Sequence, residues 1–218
     1  MNAGWSQVDA YLVDHLIPPD AALADALAAN EAAGLPPIDV SPPQGKFLNI
    51  LARLVGARRI LEIGTLGGYS TIWLARTLPA GGQLVTLEFS PHHAKTAAAN
   101  IAKAGLSHAV TIHVGPALES LPKLPADAPF DLIFVDADKR SNPDYLAWAI
   151  KLSRKGSVIV VDNVVRDGML LDAATSDPDV QGMRRLFELL ENEPRVTATA
   201  LQTVGSKGWD GFAIAIVN

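Results

Sequence analysis

No cysteine occurs among the 218 residues, so disulfides, thiolate nucleophiles and thiolate metal sites are all excluded at once. Basic residues, 18 against 23 acidic, are in slight deficit. A net charge of -5 leaves no basic face for a phosphate backbone, which argues against nucleic acid as a partner. Aromatic residues amount to 6%, and the apolar runs reach only strand length, well short of the roughly 20 residues of a membrane helix. The first residues, Met1 to Trp5, lack a basic stretch followed by an apolar one, so the N-terminus carries no export signal. The expectation is a soluble, cytoplasmic protein with no nucleic-acid or membrane partner. With 49% apolar and 19% charged residues, its length suits a single domain over 1–218 with a core of its own.

What is present begins with helices. Trp5, Val8, Leu12 and Leu16 recur at helical spacing until Pro18-Pro19 ends the run. Asp20 can cap a second helix, Ala-rich, that stops near Gly34. Ile38 to Pro43 reads as a loop, and Gln44 to Val55 as a third helix. Residues 1–56 would thus form a helical cover over a core at 57–218.

From Arg59 the pattern alternates. Strands are expected at Arg59–Ile63, Gln83–Glu88, Ala109–Val114, Asp131–Val135 and Ser157–Val161, with crossover helices near Ser70–Leu78, Pro91–Ala104, Ala117–Leu121 and Asn142–Leu152. Such alternation implies a doubly wound α/β fold with a mostly parallel sheet. The end of the chain differs. After a helix at Val180–Glu191, two strands, Val196–Leu201 and Phe212–Val217, follow with only a Gly-rich turn between them, so the last of seven strands is antiparallel.

Chemistry gathers at strand ends. Phe130-Asp-Leu-Ile-Phe-Val-Asp-Ala-Asp-Lys139 is an apolar strand that stops at Asp136, Asp138 and Lys139, and Ser157-Val-Ile-Val-Val161 stops at Asp162-Asn163. Ligands of open parallel sheets sit outside the carboxyl ends of the strands. Asp136, Asp162 and Asn163 offer hard oxygens suited to Mg²⁺, Mn²⁺ or Ca²⁺. Asp136 alone could instead be a helix cap, and Lys139 could be no more than an ion-pair partner of Asp138.

Leu61-Glu-Ile-Gly-Thr-Leu-Gly-Gly-Tyr-Ser-Thr71 is a strand, a glycine turn and a helix start. Gly64, Gly67 and Gly68 do not have the dinucleotide spacing, and no Gly-Lys-Ser/Thr follows. Glu62 is expected to face the crevice and to favour a cationic ligand group, and Glu88 to accept both hydroxyls of a ribose. Ser70 lacks a nucleophile elbow. His92 and His93 read as solvated, Trp148 and Phe187 as core, and Trp209 as a turn residue walling a pocket or a subunit contact.

Together, Glu62-Ile-Gly64 through Ser70, Glu88, Gly115-Pro-Ala117, Asp136-Ala-Asp-Lys139 and Asp162-Asn163 resemble the cation-dependent class I O-methyltransferases of the caffeoyl-CoA and catechol type, especially small bacterial members. The resemblance implies a Rossmann-like fold, S-adenosylmethionine as cofactor, a divalent cation and a homodimer. It matches Val40, Glu62, Gly64, Ser70, Glu88, Ala117, Asp136 and Asp138 to cofactor-binding positions, Asp136, Asp162 and Asn163 to metal ligands, and Lys139 to the catalytic lysine. The implied acceptor is a phenolic small molecule with two adjacent hydroxyls. One position departs: plant members carry Asn two residues past the lysine, where this chain has Ser141. A nicotinamide-dependent oxidoreductase and a non-catalytic cofactor-binding module are the competing readings. Val164 to Asp177, with Arg166, Asp167 and Met169, is expected to border the acceptor.

Overall fold

A computed structural model describes residues 3–218, so Met1 and Asn2, on which the reading of the N-terminus partly rested, lie outside the described residues. Three helices come first: α1 (Ala3–Leu16), α2 (Ala21–Ala32) and α3 (Pro42–Leu54). Asp20 caps α2 through the Leu23 N–H, and its carboxylate also pairs with Arg76, tying the cover to the core. The third helix starts earlier than expected. Ser41 accepts from the Gln44 N–H, and Pro42 and Pro43 occupy the first turn, where a missing N–H costs nothing.

Seven strands form one sheet, mostly parallel as the alternation implied, and across it they run Val110–Val114 (β3), Gln83–Glu88 (β2), Arg59–Ile63 (β1), Phe130–Val135 (β4), Ser153–Asp162 (β5), Gly208–Val217 (β7) and Val196–Gly205 (β6). The parallel members are β1 (Arg59–Ile63), β2 (Gln83–Glu88), β3 (Val110–Val114), β4 (Phe130–Val135) and β5 (Ser153–Asp162). Between them run α4 (Tyr69–Ala75), α5 (Pro91–Lys103), α6 (Ala117–Ser120) and α7 (Asn142–Lys151), and α8 (Pro178–Asn192) follows β5. Strand β7 (Gly208–Val217) lies antiparallel to both β5 and β6 (Val196–Gly205).

Successive side chains of the central strands enter opposite cores. Leu61, Ile133 and Ile159 pack toward Leu146, Ile150 and Leu186 of α7 and α8, while Ile60, Leu132 and Val160 pack toward Leu48, Ile72 and Ile101 of α3, α4 and α5. Burial on both faces explains why these strands read as continuous apolar runs. Trp148 and Phe187 pack against the first core, as expected.

The terminal hairpin is longer than its sequence suggested. Pairing continues through Gln202↔Gly211, Thr203↔Asp210 and Val204↔Trp209, leaving only Ser206 and Lys207 to turn. Trp209 is therefore a strand residue. Its ring lies against Gly168, where a Cβ would come within 2.8 Å, and its indole N–H donates to Gln202. It props the loop after β5 and lines none of the cavities at the site. No helix among the described residues is long and apolar enough to cross a membrane.

Candidate active site

The ends of β1 and β4 meet at Gly64, whose φ of +98° is open to glycine without strain. A Cβ there would stand 2.0 Å from the Asp136 carbonyl oxygen, so only glycine lets the two strand ends approach. This contact divides the crevice into two cavities of about 510 and 560 Å³ that share Gly64, Asp136 and Asp138. Glu88, Phe89, Ala117, Leu118 and Tyr145 line the first; Val40, Ser70, Lys139, Asp162 and Asn163 line the second.

Two acids have bonding partners that the sequence did not suggest. Glu88 lines the first cavity, but its Oε2 accepts the Thr65 and Leu66 N–H groups and its Oε1 accepts that of Ser90. Its prior task is to hold the glycine turn, with Leu66 in left-handed backbone at φ +49°. His93, expected in solvent, also lines this cavity, with Nδ1 3.4 Å from Glu88 Oε1; His92 is exposed and sits 2.9 Å from the Ala33 carbonyl. Glu62 lines neither cavity. It is fully buried and accepts hydroxyls from Ser70 (2.6 Å), Thr71 (2.5 Å) and Thr86 (2.7 Å). Ser70 is thus the group that presents this acid to the second cavity.

Burial pushes the Glu62 carboxyl up to about 7, against the pull of its three hydroxyl donors. A carboxyl raised on folding stabilises fully below its free value and loses that contribution as pH rises through the folded value. Stability attributable to Glu62 should therefore decline between about pH 5 and 8. Glu62→Gln removes this titration and leaves a hydroxyl facing an amide nitrogen, at a cost of about 1–3 kcal/mol. Urea unfolding across that range should show lower stability at pH 5 and a flatter pH profile; an unchanged slope would refute the assignment.

A polar network missed by the sequence reading backs the glycine turn. The Asn100 amide donates to the Gly67 carbonyl and to Asn30, and Asn30 donates to Asp39 on the wall of the second cavity. Asn30 and Asn100 are buried, and a Cβ on Gly67 would meet Asn30 at 1.8 Å.

At the end of β4, Lys139 donates to Asp136 Oδ1 at 2.9 Å with its side chain 8% exposed. Its partner is Asp136, not Asp138. Asp138 instead accepts the Ser141 and Tyr145 hydroxyls, each at 2.5 Å, and burial together with that carboxylate pushes the Tyr145 hydroxyl up. At the end of β5, Asp162 accepts the Gln44 amide at 2.7 Å and the Asn163 N–H at 2.9 Å. Burial, then the charge of Asp136, pushes its carboxyl up to about 7. Asp136 and Asp162 share this end of the crevice, and among the described residues Lys139 is the one cation that pairs directly with either of them, which is the electrostatic setting of a cation site. Among the described residues no three His, Asp or Glu side chains cluster as a metal site. The set that could hold an ion is Asp136, Asp162 and the Asn163 amide, with Gln44 orienting Asp162.

Asn163, Arg166 and Asp167 all have positive φ, from +48° to +55°. Non-glycine residues keep such backbone only where surroundings enforce it. Here Asp210 accepts the Val165 and Arg166 N–H groups, and the Asp167 N–H reaches the Trp209 carbonyl. Of the loop residues expected at the acceptor, Arg166 lines the second cavity, whereas Asp167 and Met169 line none of the cavities at the site.

The model of a family described as O-methyltransferase matches residues 20–213. Catechol O-methyltransferase of Mycobacterium tuberculosis is 55% identical over 210 residues, covering 96% of this chain and 94% of that protein. The protein of the same name from Niastella koreensis is 50% identical over 218 residues, 99% of each. The crystal structure of the O-methyltransferase from Bacillus cereus in complex with SAH superposes with a TM-score of 0.98 at 57% identity, covering 100% of both chains. With a family match across nearly the whole crevice-bearing core and relatives this similar over their full lengths, the chain belongs to the O-methyltransferase family.

Proposed function

We propose that the enzyme moves the methyl group of S-adenosylmethionine to one of two adjacent hydroxyls on a catechol-type acceptor, with a divalent cation held by Asp136, Asp162 and Asn163. The observation that carries this reading is the junction of the two cavities at Gly64 and Asp136, one faced by Glu88 and the other by the oxygen donors. Similarity to a structure holding SAH supports the cofactor, and relatives named for catechol support the acceptor class. The nicotinamide and non-catalytic readings give way to the family assignment.

The residues present fit both groups. Glu88, Ala117, Asp138 and Gly64 would hold the cofactor in the first cavity, with Ser70 and Val40 reaching it from the second. Asp136, Asp162 and Asn163 supply hard oxygen donors in a neutral set once a divalent ion is added. When bound, the ion supplies Lewis acidity that eases loss of a phenolic proton. A phenol of pKa about 10 is ionised to roughly one part in a thousand at pH 7, so about 4 kcal/mol of assistance is useful. Lys139, an ammonium donor to Asp136 in the structure, would receive that proton only as the neutral amine, the form that a neighbouring divalent charge favours. Displacement at a sulfonium methyl consumes opposite charges, so the main task of the cavity walls is to hold donor and acceptor in line. A homodimer in the cytoplasm completes the proposal; the exposed side chains Val8, Tyr11 and Leu16 of α1 are apolar surface such a dimer would cover.

The test is metal removal. After exhaustive chelation, methylation of catechol should fall to background and return on addition of Mg²⁺ or Mn²⁺, while calorimetry still detects S-adenosylmethionine binding. Full turnover in verified metal-free enzyme would overturn the cation part; absence of cofactor binding would overturn the donor part.

A further inference from the structure

The ribose of S-adenosylmethionine presents two adjacent hydroxyls, and Glu88 lacks acceptor positions for both. A carboxylate offers about four such positions, two on each oxygen. Those of Oε2 are filled by the Thr65 and Leu66 N–H groups at 3.0 and 2.8 Å, and Oε1 already accepts the Ser90 N–H at 2.9 Å. That leaves one position, on Oε1. The three bonds hold the glycine turn and the start of α5, so a ligand hydroxyl that displaced one of them would strand a backbone N–H.

The other side chain at that oxygen is His93. Its Nδ1 stands 3.4 Å from Glu88 Oε1, and its ring lines the first cavity with 27% of the side chain exposed. The start of α5 places it there. Ser90 caps the helix by accepting the His93 N–H, Pro91 fills the first turn, and His92 turns away to the Ala33 carbonyl. A neutral imidazole carries one donor and one acceptor, and His93 Nε2 makes no hydrogen bond among the described residues. The remaining polar side chains of this cavity are engaged elsewhere: Asp136 with Lys139, Asp138 with Ser141 and Tyr145, and Arg140 with Asp179.

We infer that His93 is a cofactor-binding residue, bonding one ribose hydroxyl of S-adenosylmethionine while the open position of Glu88 accepts the other. This rests on the function proposed above, and it divides between two side chains a pair of hydroxyls that the sequence assigned to Glu88 alone. The two bonds differ in strength. The one to the carboxylate is charge-assisted, and the one to a neutral imidazole is not.

Calorimetry with SAH and its 2′-deoxy and 3′-deoxy analogues reads this division without metal, acceptor or turnover. Wild-type protein should lose about tenfold or more in affinity for the analogue that lacks the hydroxyl held by Glu88, and about three- to tenfold for the other. His93→Phe keeps a ring and removes both nitrogens. It should abolish the smaller penalty, binding that analogue and SAH within about twofold of each other, and leave the larger one in place. His93→Gln, whose amide still donates and accepts, should retain both penalties. Thermal melts check that each variant folds, and His93→Ala serves in the same comparison if the phenylalanine variant does not. A residue that merely props Glu88 would, when replaced, weaken all three ligands by one factor and leave both penalties unchanged. That result overturns the inference, as does the loss of both penalties together. Failure of wild-type protein to bind SAH at all overturns the donor part of the proposed function and the inference with it.

Discussion

Asp162→Ala is expected to lower methylation of a catechol by about a thousandfold or more while leaving S-adenosylmethionine binding largely in place, since it removes a charged ligand rather than a cofactor contact. The side chain is 4% exposed and stands beside the like charge of Asp136. In metal-free protein that proximity is unfavourable, so removing Asp162 relieves repulsion and opens only a small void. The variant also strands the Gln44 amide and the Asn163 N–H that Asp162 accepts, a loss of about 1–3 kcal/mol that offsets this relief, so without metal it should melt close to wild type. Wild-type protein should gain stability with Mg²⁺ through binding to the folded state, and Asp162→Ala should gain little. Thermal melts across a Mg²⁺ titration, alongside initial rates, measure both effects. A retained Mg²⁺ shift with near wild-type turnover would remove Asp162 from the ion site.

Much of this site was legible because its parts are local. An apolar run ending in Asp136-Ala-Asp-Lys139 or Asp162-Asn163 specifies both a buried strand and the chemistry at its carboxyl end, and alternation with helices specifies the parallel order. What was not legible comes from residues far apart in sequence. Gln44 reaches Asp162 across 118 positions, and Asn100 reaches Asn30 across 70. A glutamine or asparagine in an amphipathic helix gives no sign that its amide is to be buried against one distant carboxylate. The burial of Glu62 and the structural bonds of Glu88 were missed for a related reason. Type and position pointed each acid at a ligand, whereas buried carboxylates first satisfy the donors around them, here the hydroxyls of Ser70, Thr71 and Thr86 and the N–H groups of the glycine turn. The hairpin was read short because Gly205, Gly208 and Gly211 look like turn residues. Gly211 is in fact a close approach: a Cβ there would meet the Leu201 carbonyl at 2.4 Å.

Lys139→Met should fail in a different way from Asp162→Ala, because it removes the proton acceptor and leaves every oxygen donor in place. The lysine is firmly seated. Gly182 of α8 packs so closely on it that a Cβ would stand 2.2 Å from the Lys139 carbonyl oxygen, and Arg140 is bonded to Asp179 through both its backbone N–H and its guanidinium. Methionine keeps much of the length and apolar stem, so the backbone at 139–141 should hold. Loss of general-base assistance predicts a rate lower by about 10²- to 10⁴-fold. Binding should respond with the opposite sign. The ammonium now 2.9 Å from Asp136 Oδ1 competes with any cation for that oxygen, so its removal should leave divalent-ion affinity equal or tighter, read by calorimetry or Mn²⁺ resonance. Raising the pH should restore part of the lost rate, since solvent hydroxide can then generate the phenolate. If the variant turns over at near wild-type rate while ion affinity rises, Lys139 is only the counter-ion of Asp136 in metal-free protein, and activation of the acceptor needs no lysine.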